Sequence, residues 1–220
     1  MNGSGGLPGP AYRSDPQGRV RGSVIVAHEI FGLTPHIKSV CDRLAAAGYT
    51  ALAPDLFAGE LDGAFLPYTA EGKQRGVAIK NRLGEERLAD TLYEWIGHRS
   101  GEGRVGVMGF CLGGTLAWIA AGKPGVACAI CYYGVGLLRH AGVAQQAPVL
   151  MHFGRRDPAI PAEDVARFSE RQPGVEVHEY DAGHAFNRDD DAAYVAPSAE
   201  QAWRRSMAFL GEHLDLASNP

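Results

Sequence analysis

One hexapeptide near the middle of the chain, residues 109–114 with the sequence GFCLGG, constrains the fold most. It follows an apolar run at 104–108 that predicts a buried strand, and it precedes residues 115–121, which predict a helix. Glycine two positions either side of a cysteine predicts a strained turn, because larger side chains would collide with strand and helix. Such a turn holds a sulfur at a helix N-terminus, where unpaired N–H groups favour a thiolate and an oxyanion. Cys111 is therefore a candidate nucleophile, and the alternative is a structural cysteine beside a glycine-rich turn.

The composition indicates one ordinary globular domain. The chain has 220 residues, of which 45% are hydrophobic and 21% are charged, enough for a substantial core. A net charge of −4 gives no reason to expect nucleic acid or an acidic membrane surface as a partner. No apolar run approaches the roughly 20 residues of a membrane-spanning helix. Residues 1–18 lack the apolar segment of a signal peptide, so we expect a loose lead-in, one domain over 19–216 and a cytoplasmic location.

The other three cysteines predict core packing rather than a disulfide or a metal site. Cys41 falls on the apolar face of a predicted helix. Cys128 and Cys131 form a C-x-x-C pattern inside a predicted strand, where residues three apart point to opposite faces. We interpret all three as small buried hydrophobic residues. No cluster has metal-ligand spacing, so we expect neither a metal nor a cofactor. Three further histidines are interpreted as structural: His28, His152 and His178.

Strands and helices alternate along the chain. Strands are predicted at 20–28, 50–56, 104–108, 127–133, 148–154 and 175–180, the last with the partial alternation of an edge strand. Helices are predicted from Thr34 to Gly48, at about 85–97, at 115–121 and at about 197–214. Residues 57–76 are predicted to form a loop or a broken helix near the site. This alternation predicts an α/β fold with a mostly parallel sheet covered on both faces, and ligands bind beyond the carboxyl ends of such strands.

Two residues that follow predicted strands complete a candidate triad. Asp157 comes after the strand at 148–154, and His184 comes after the strand at 175–180. A thiol nucleophile needs a base, and the base needs an orienting carboxylate. Taken alone, Asp157 fits a turn residue before proline and His184 fits a loop histidine. The order nucleophile, acid, base is that of the α/β-hydrolases, and three such residues at strand ends are hard to obtain by chance.

Five short stretches together resemble the dienelactone hydrolases, or carboxymethylenebutenolidases, over about residues 22–214. They are 28–32 (HEIFG), 109–114 (GFCLGG), 132–134 (YYG), 154–157 (GRRD) and 183–186 (GHAF). The first two in combination are specific, whereas each stretch alone is not. The resemblance implies an α/β-hydrolase fold with Cys111 as nucleophile, His184 as base and Asp157 as its partner.

The resemblance also implies supporting residues around the nucleophile. Glu29 looks like the family's additional glutamate, which helps to draw off the thiol proton as substrate binds and keeps the resting thiol less reactive. The alternative, a surface glutamate, fits poorly at the end of a buried strand. The backbone N–H groups of Ile30 and Leu112 would form the oxyanion hole.

The family's substrate is a lactone that bears a carboxylate, so the resemblance implies a cationic clamp. Arg188 matches one arginine of the family, and Arg75 is matched to the second in a region without a firm anchor. With that match, Ile79 stands where the best-known members carry tyrosine, which puts the identity of the lactone in doubt. The alternative for both arginines is a solvated surface charge.

The leading hypothesis is a cysteine hydrolase that opens an enol-lactone or an activated small ester through a thioacyl-enzyme. Its expected partner is a small lactone or ester that bears a carboxylate, with no nucleic acid and no membrane, and the chain is expected to be a monomer or weak homodimer. One alternative is another small-ester hydrolase of the family, because Ile79 and residues 57–76 can reshape the pocket. The other is a non-catalytic ligand-binding or redox-sensing protein of this fold, against which the complete triad argues.

Overall fold

Seven strands form one sheet in the order β1-β3-β2-β4-β5-β6-β7, in the part of the chain, residues 7–215, that the computed structural model describes. All neighbouring strands are parallel except β1, which runs antiparallel to β3. The sheet thus confirms the predicted α/β fold. The strands are β1 (Ala11–Ser14), β2 (Gly22–Ala27), β3 (Tyr49–Pro54), β4 (Val105–Phe110), β5 (Cys128–Tyr132), β6 (Val149–Gly154) and β7 (Glu176–Tyr180).

Six α-helices connect the strands in the described chain, and a short 3₁₀ turn at Leu137–His140 follows β5. The first helix begins as predicted, because the Thr34 hydroxyl accepts the Ile37 N–H at 3.4 Å and proline occupies the first turn. No helix within residues 7–215 has the length and apolar character needed to cross a bilayer. The helices are α1 (Pro35–Ala46), α2 (Ala70–Leu83), α3 (Glu85–Ser100), α4 (Leu112–Ala121), α5 (Ala162–Arg171) and α6 (Ala196–Leu214).

The core lies on both faces of the central strands. Strands β3, β4, β5 and β6 are buried along their whole length, as expected for a parallel sheet packed between layers. Strand β7 lies at the edge of the sheet and is only partly buried except at Tyr180, which confirms the predicted edge strand. The buried free thiols of Cys41, Cys128 and Cys131 confirm the predicted core packing, and burial raises the pKa of Cys41 and Cys128 to about 12.

The predicted lead-in over residues 1–18 was wrong at 11–14, which form strand β1. Residues 1–6 lie outside the described chain. Strand β1 pairs with β3, with Ala11 opposite Pro54, and so covers what would otherwise be an edge of the sheet. Its four residues, AYRS, are too few to show a periodic pattern, and the pairing with a distant strand decides their conformation.

Two helices differ from the predictions. Residues 57–76 were predicted to form a loop or a broken helix, but a continuous helix, α2, begins within them at Ala70, where the Thr69 hydroxyl caps it by accepting the Gly72 N–H at 3.1 Å. The stretch is rich in glycine, and α2 contains two of those residues, Gly72 and Gly76. Helix α5 was not predicted, because only Val165 and Phe168 are buried along it.

Candidate active site

The turn around Cys111 has the strained geometry that the sequence predicts. Cys111 lies between β4 and α4 with φ 53° and ψ −114°, and it is 9% exposed. A Cβ on Gly109 would overlap the carbonyl of Gly113, and a Cβ on Gly113 would overlap the carbonyl of Ala27. Glycine at both positions is therefore a steric requirement. The turn leaves the sulfur at the N-terminus of α4, as expected.

His184 and Asp157 form a hydrogen-bonded pair at the same end of the sheet. The imidazole Nδ1 lies 2.6 Å from Oδ2 of Asp157, whose side chain is fully buried. The other oxygen, Oδ1, accepts the Ala159 N–H at 2.8 Å, which fixes the plane of the carboxylate. Nδ1 is thus the donor to the carboxylate, and Nε2 is the nitrogen available to the cavity that His184 and Cys111 share.

The pKa of His184 is raised to about 10. Burial opposes the charge on the imidazole, but the hydrogen bond to Asp157 and then the neighbouring Cys111 side chain outweigh it. Cys111 and His184 line the same cavity. At neutral pH the site holds a positive imidazolium beside the sulfur.

A cavity of about 360 Å³ adjoins these residues, within the size range of small-molecule sites. It brings together six of the predicted site residues: Glu29, Ile30, Cys111, Leu112, His184 and Arg188. Asp157 lies behind His184. The apolar part of the wall consists mainly of Ile30, Phe31, Val77, Leu112, Val135 and Pro158. The charged part consists of Glu29, Lys73, Lys80, Glu85, Arg139 and Arg188.

The backbone N–H groups of Ile30 and Leu112 both belong to residues that line the cavity. Neither donates to an acceptor among the hydrogen bonds of the described residues outside regular elements. Leu112 is the first residue of α4, where a helix leaves its N–H groups without an internal acceptor. The two N–H groups can therefore donate hydrogen bonds to a developing oxyanion.

His28 holds the segment that carries Glu29 and Ile30. Its Nδ1 lies 2.6 Å from the Glu29 carbonyl, and its Nε2 accepts the Leu56 N–H at 3.0 Å. This pattern requires a neutral imidazole with the proton on Nδ1, and burial lowers the pKa of His28 accordingly. The residue is structural, as predicted, but the structure it supports is part of the site.

Glu29 and Arg188 form a buried ion pair in the cavity wall. Oε2 of Glu29, which is 1% exposed, lies 3.3 Å from Nη1 of Arg188. Nη2 of the same guanidinium lies 3.0 Å from Asp191, and its carbon lies 3.9 Å from the ring centre of Tyr68. Burial opposes the charge of Arg188, but Glu29 and other groups outweigh it and raise the arginine's pKa. Arg188 is therefore held between two carboxylates and an aromatic face.

Arg75 is not among the residues that line the cavity, contrary to the expectation of a second clamp arginine. Its side chain is 51% exposed and lies 3.4 Å from Asp62. The helical period places Lys73, Val77 and Lys80 on the cavity side of α2 and Arg75 away from it. Ile79 is buried and is also absent from the lining.

Three cations of the cavity wall were missed by the sequence analysis: Lys73, Lys80 and Arg139. Lys80 and Arg139 both contact Glu85, at 3.3 and 3.0 Å. Burial opposes the charge of Glu85, but the hydrogen bond from His140 and the neighbouring cations lower its pKa. Lys73 forms no ion pair with any described residue. The helical spacing of 73, 77 and 80 would have revealed this face had α2 been predicted as a helix.

One group among the described residues has the spacing of metal ligands, and none of its members lines the cavity. Ligand atoms of His36, Asp189 and Asp190 lie within 4.8 Å of one another. His36 is buried, and burial lowers its pKa, whereas both carboxylates are exposed. Exposed acidic groups are common without an ion, so this grouping alone does not indicate a metal centre.

Comparisons of the sequence and of the backbone with known proteins point to the same family. The sequence profile described as the Dienelactone hydrolase family matches residues 10–214. A carboxymethylenebutenolidase of Pseudomonas putida and one of Pseudomonas knackmussii are each 34% identical over 199 residues, covering 85% of this chain and 84% of those proteins. A solved structure from Klebsiella pneumoniae subsp. pneumoniae, provisionally named a dienelactone hydrolase, has a TM-score of 0.80 at 29% identity and covers 94% of this chain and 96% of that one.

Proposed function

The chain belongs to the dienelactone hydrolase family and is a carboxylic ester hydrolase, and on that premise we propose that it opens an enol-lactone or an activated small ester through a thioacyl intermediate on Cys111. The observation that carries the proposal is the His184–Asp157 hydrogen bond of 2.6 Å at a cavity that His184 shares with Cys111. A mere ligand-binding pocket does not require a base with an orienting carboxylate.

The first half of the reaction forms the thioester. The Cys111 thiolate attacks the carbonyl carbon, and the oxyanion is held by the N–H groups of Ile30 and Leu112. When the intermediate collapses, the C–O bond breaks and the leaving enolate takes the proton from Nε2 of His184. The raised pKa of His184 supports this order of events, because the imidazolium carries the proton before attack.

The second half returns the enzyme to its starting state. Once the thiolate charge has gone, His184 loses a group that favours its protonated form, so the neutral imidazole can accept a proton from water. The resulting hydroxide attacks the thioester, and the thiolate leaves as the carboxylic acid product forms. Asp157 stabilises the imidazolium at this step through Nδ1.

Glu29 takes the role of the family's additional glutamate in this proposal. In the resting site Glu29 is paired with Arg188 at 3.3 Å. A substrate carboxylate that binds Arg188 competes with Glu29 for the guanidinium. Glu29 is then free to draw off the thiol proton, so the nucleophile is activated as substrate binds. When the thiolate leaves the thioester, Glu29 returns that proton to the sulfur, which restores the resting thiol and carboxylate.

The charges of the cavity wall support an anionic substrate. Four cations and two carboxylates line it, and the surrounding surface is apolar. Lys80 and Arg139 both pair with Glu85, and Arg188 pairs with Glu29. Among the described residues, Lys73 is the cation of the cavity wall that forms no ion pair. We therefore assign the second contact to a substrate carboxylate to Lys73, in place of the expected Arg75.

The proposal is tested by trapping the intermediate. Mixing the enzyme with p-nitrophenyl acetate should release a burst of p-nitrophenol equal to the enzyme concentration, and mass spectrometry of quenched protein should find an acetyl group on Cys111. Cys111→Ala should show neither. Cys41→Ala removes a buried thiol outside the cavity and should keep both. A burst from Cys111→Ala would refute the proposed nucleophile.

A second candidate, a small-ester hydrolase without preference for an anionic substrate, is favoured by the position of Arg75 outside the cavity. The two candidates differ in kcat/KM for a matched pair of lactones with and without a carboxylate. A clear preference for the carboxylate supports the first candidate. Equal values support the second.

The proposal extends to the setting in which the enzyme works. A nucleophilic thiol must stay reduced, so a reducing compartment such as the cytoplasm suits Cys111. We also propose that the enzyme is a monomer or a weak homodimer. Size-exclusion chromatography coupled to light scattering, with activity measured across the peak, tests the second point.

A further inference from the structure

Helix α2 touches the oxyanion segment through the backbone of one glycine. A Cβ built on Gly76 would overlap the carbonyl oxygen of Ile30, and it would lie 3.2 Å from the Ile30 Cβ. Real Cβ atoms do not approach a carbonyl oxygen so closely, so a side chain here would force the helix or Ile30 to move. The helix backbone therefore packs directly against the residue whose N–H faces the reaction.

The contact between Gly76 and Ile30 lies on the buried face of α2. Gly72 and Gly76 are one helical turn apart and both are buried, together with Ile79. The neighbouring stripe, which includes Lys73 and Val77, lines the cavity. The packing of the glycine face thus sets the position of the cavity wall and of Ile30 at the same time.

Backbone hydrogen bonds hold the residues on either side of Ile30, and one of them spans it, because the Gly32 N–H donates to the Glu29 carbonyl at 3.2 Å. The Phe31 carbonyl accepts the Leu66 N–H at 2.7 Å, and the Leu33 N–H donates to the Ala64 carbonyl at 2.9 Å. The Ile30 carbonyl accepts none of the hydrogen bonds found among the described residues outside regular elements. On its α2 side, Ile30 is bounded by Gly76.

We infer that Gly76 is a positioning residue for the oxyanion hole. By lacking a side chain, it lets α2 hold Ile30 where its N–H can meet the oxyanion beside Cys111. The inference rests on the proposed function, in which that N–H is one of two donors. A methyl group at position 76 pushes Ile30 toward the cavity or α2 away from it, and either shift misplaces the donor.

The experiment compares two reactions of the same sulfur in Gly76→Ala. Hydrolysis of p-nitrophenyl acetate needs the oxyanion hole, whereas alkylation of Cys111 by iodoacetamide is a displacement at carbon that forms no oxyanion. We expect kcat to fall about 10- to 100-fold, because a misplaced donor loses part of the roughly 10²- to 10³-fold effect of one oxyanion contact. KM and the alkylation rate should stay within about twofold of wild type, as only the transition-state contact changes.

Two glycines of the same chain provide matched controls. Gly97→Ala places a methyl group in α3 with no atom within 4 Å, so it reports the effect of the substitution alone. In Gly72→Ala the new Cβ overlaps the Pro67 carbonyl, so it disturbs α2 one turn away from Ile30. We expect Gly72→Ala to lower the melting temperature while preserving the ratio of hydrolysis to alkylation, and Gly97→Ala to preserve both.

The outcomes separate the inference from its premise. If Gly76→Ala hydrolyses the ester at the wild-type rate, or loses hydrolysis and alkylation together, Gly76 does not position the oxyanion hole. If Cys111→Ala keeps full activity, the proposed function itself fails. Should Gly76→Ala not fold, Ile30→Gly keeps the Ile30 carbonyl but removes the side chain whose Cβ packs beside position 76. It must show the same selective loss of hydrolysis, or the inference is wrong.

Discussion

Two regions of this enzyme use the same device, a glycine that lets one backbone segment pack against another. In the turn around Cys111, a Cβ on Gly113 would overlap the Ala27 carbonyl, and in α2 a Cβ on Gly76 would overlap the Ile30 carbonyl. The role of Gly113 could be predicted from the sequence, whereas Gly76 lies at the end of a stretch that was predicted to be a loop or a broken helix. The sequence predicts the role of a glycine when adjacent residues form a recognisable motif with it. It does not predict that role when the glycine packs against a segment that is distant in the sequence.

The largest effect on activity is expected in the site around Cys111, which is the region that the sequence predicts well. Asp157→Asn should lower kcat about 10⁴-fold, because an amide at this position favours the wrong tautomer of His184. Asp181→Asn is the matched control, since Asp181 is an exposed carboxylate that pairs with Arg156. Steady-state kinetics on one ester decides the matter. A loss below about tenfold would remove Asp157 from the triad.

The next largest effect is expected on the stability of the fold, and it is measured by comparing alanine substitutions at Gly113 and Gly97. Gly113→Ala should lower the free energy of unfolding by about 3 kcal/mol, because both the methyl group and its backbone neighbour lie in the core. Gly97→Ala should raise it by up to about 1 kcal/mol, as expected for alanine in an open helix position. Urea unfolding measures both. Equal effects of the two substitutions would contradict the close packing at the elbow.

The pH dependence of stability tests the charge on His184. Its pKa is about 10 in the folded chain and near 6.5 when unfolded, so protonation stabilises the fold fully below pH 6.5. That contribution is lost as the pH rises toward 10. The difference in unfolding free energy between wild type and His184→Gln should therefore shrink by at least about 1 kcal/mol over this range.

Urea unfolding at several pH values measures this difference, and Cys111→Ala sharpens the result. Because the side chain of Cys111 helps to raise the pKa of His184, the loss of stability should be smaller without the thiol and complete at a lower pH. A difference that is independent of pH between 6.5 and 10 would show that His184 is not charged in the folded enzyme.

The smallest effect is expected on the cavity face of α2. Lys73→Met should raise KM for a carboxylate-bearing lactone about fivefold and leave a neutral ester unchanged, because a half-exposed ion pair contributes about 1 kcal/mol. Arg75→Met is the matched control on the same helix and should change neither. If Arg75→Met has the larger effect, α2 presents a different face to the substrate.

The fold could be predicted, and the candidate triad proposed, because their signals are local. Apolar runs mark the buried strands, and Asp157 and His184 each follow one of them. Helix α5 escaped prediction because Val165 and Phe168 alone are buried along it, although acidic residues in its first turn and Arg171 in its last were available signals. The cavity cations escaped because Lys73 and Lys80 share a face only once α2 is known to be helical.

Strand β1 has a consequence beyond the fold, for the behaviour of the enzyme in concentrated solution. It ends one side of the sheet with a strand of only four residues, and β7 ends the other side with two glutamates and a histidine among its five residues. Edge strands that are very short or carry charged side chains disfavour pairing between the sheets of two molecules. Neither border offers a template for aggregation, so the enzyme should stay dispersed at high protein concentration.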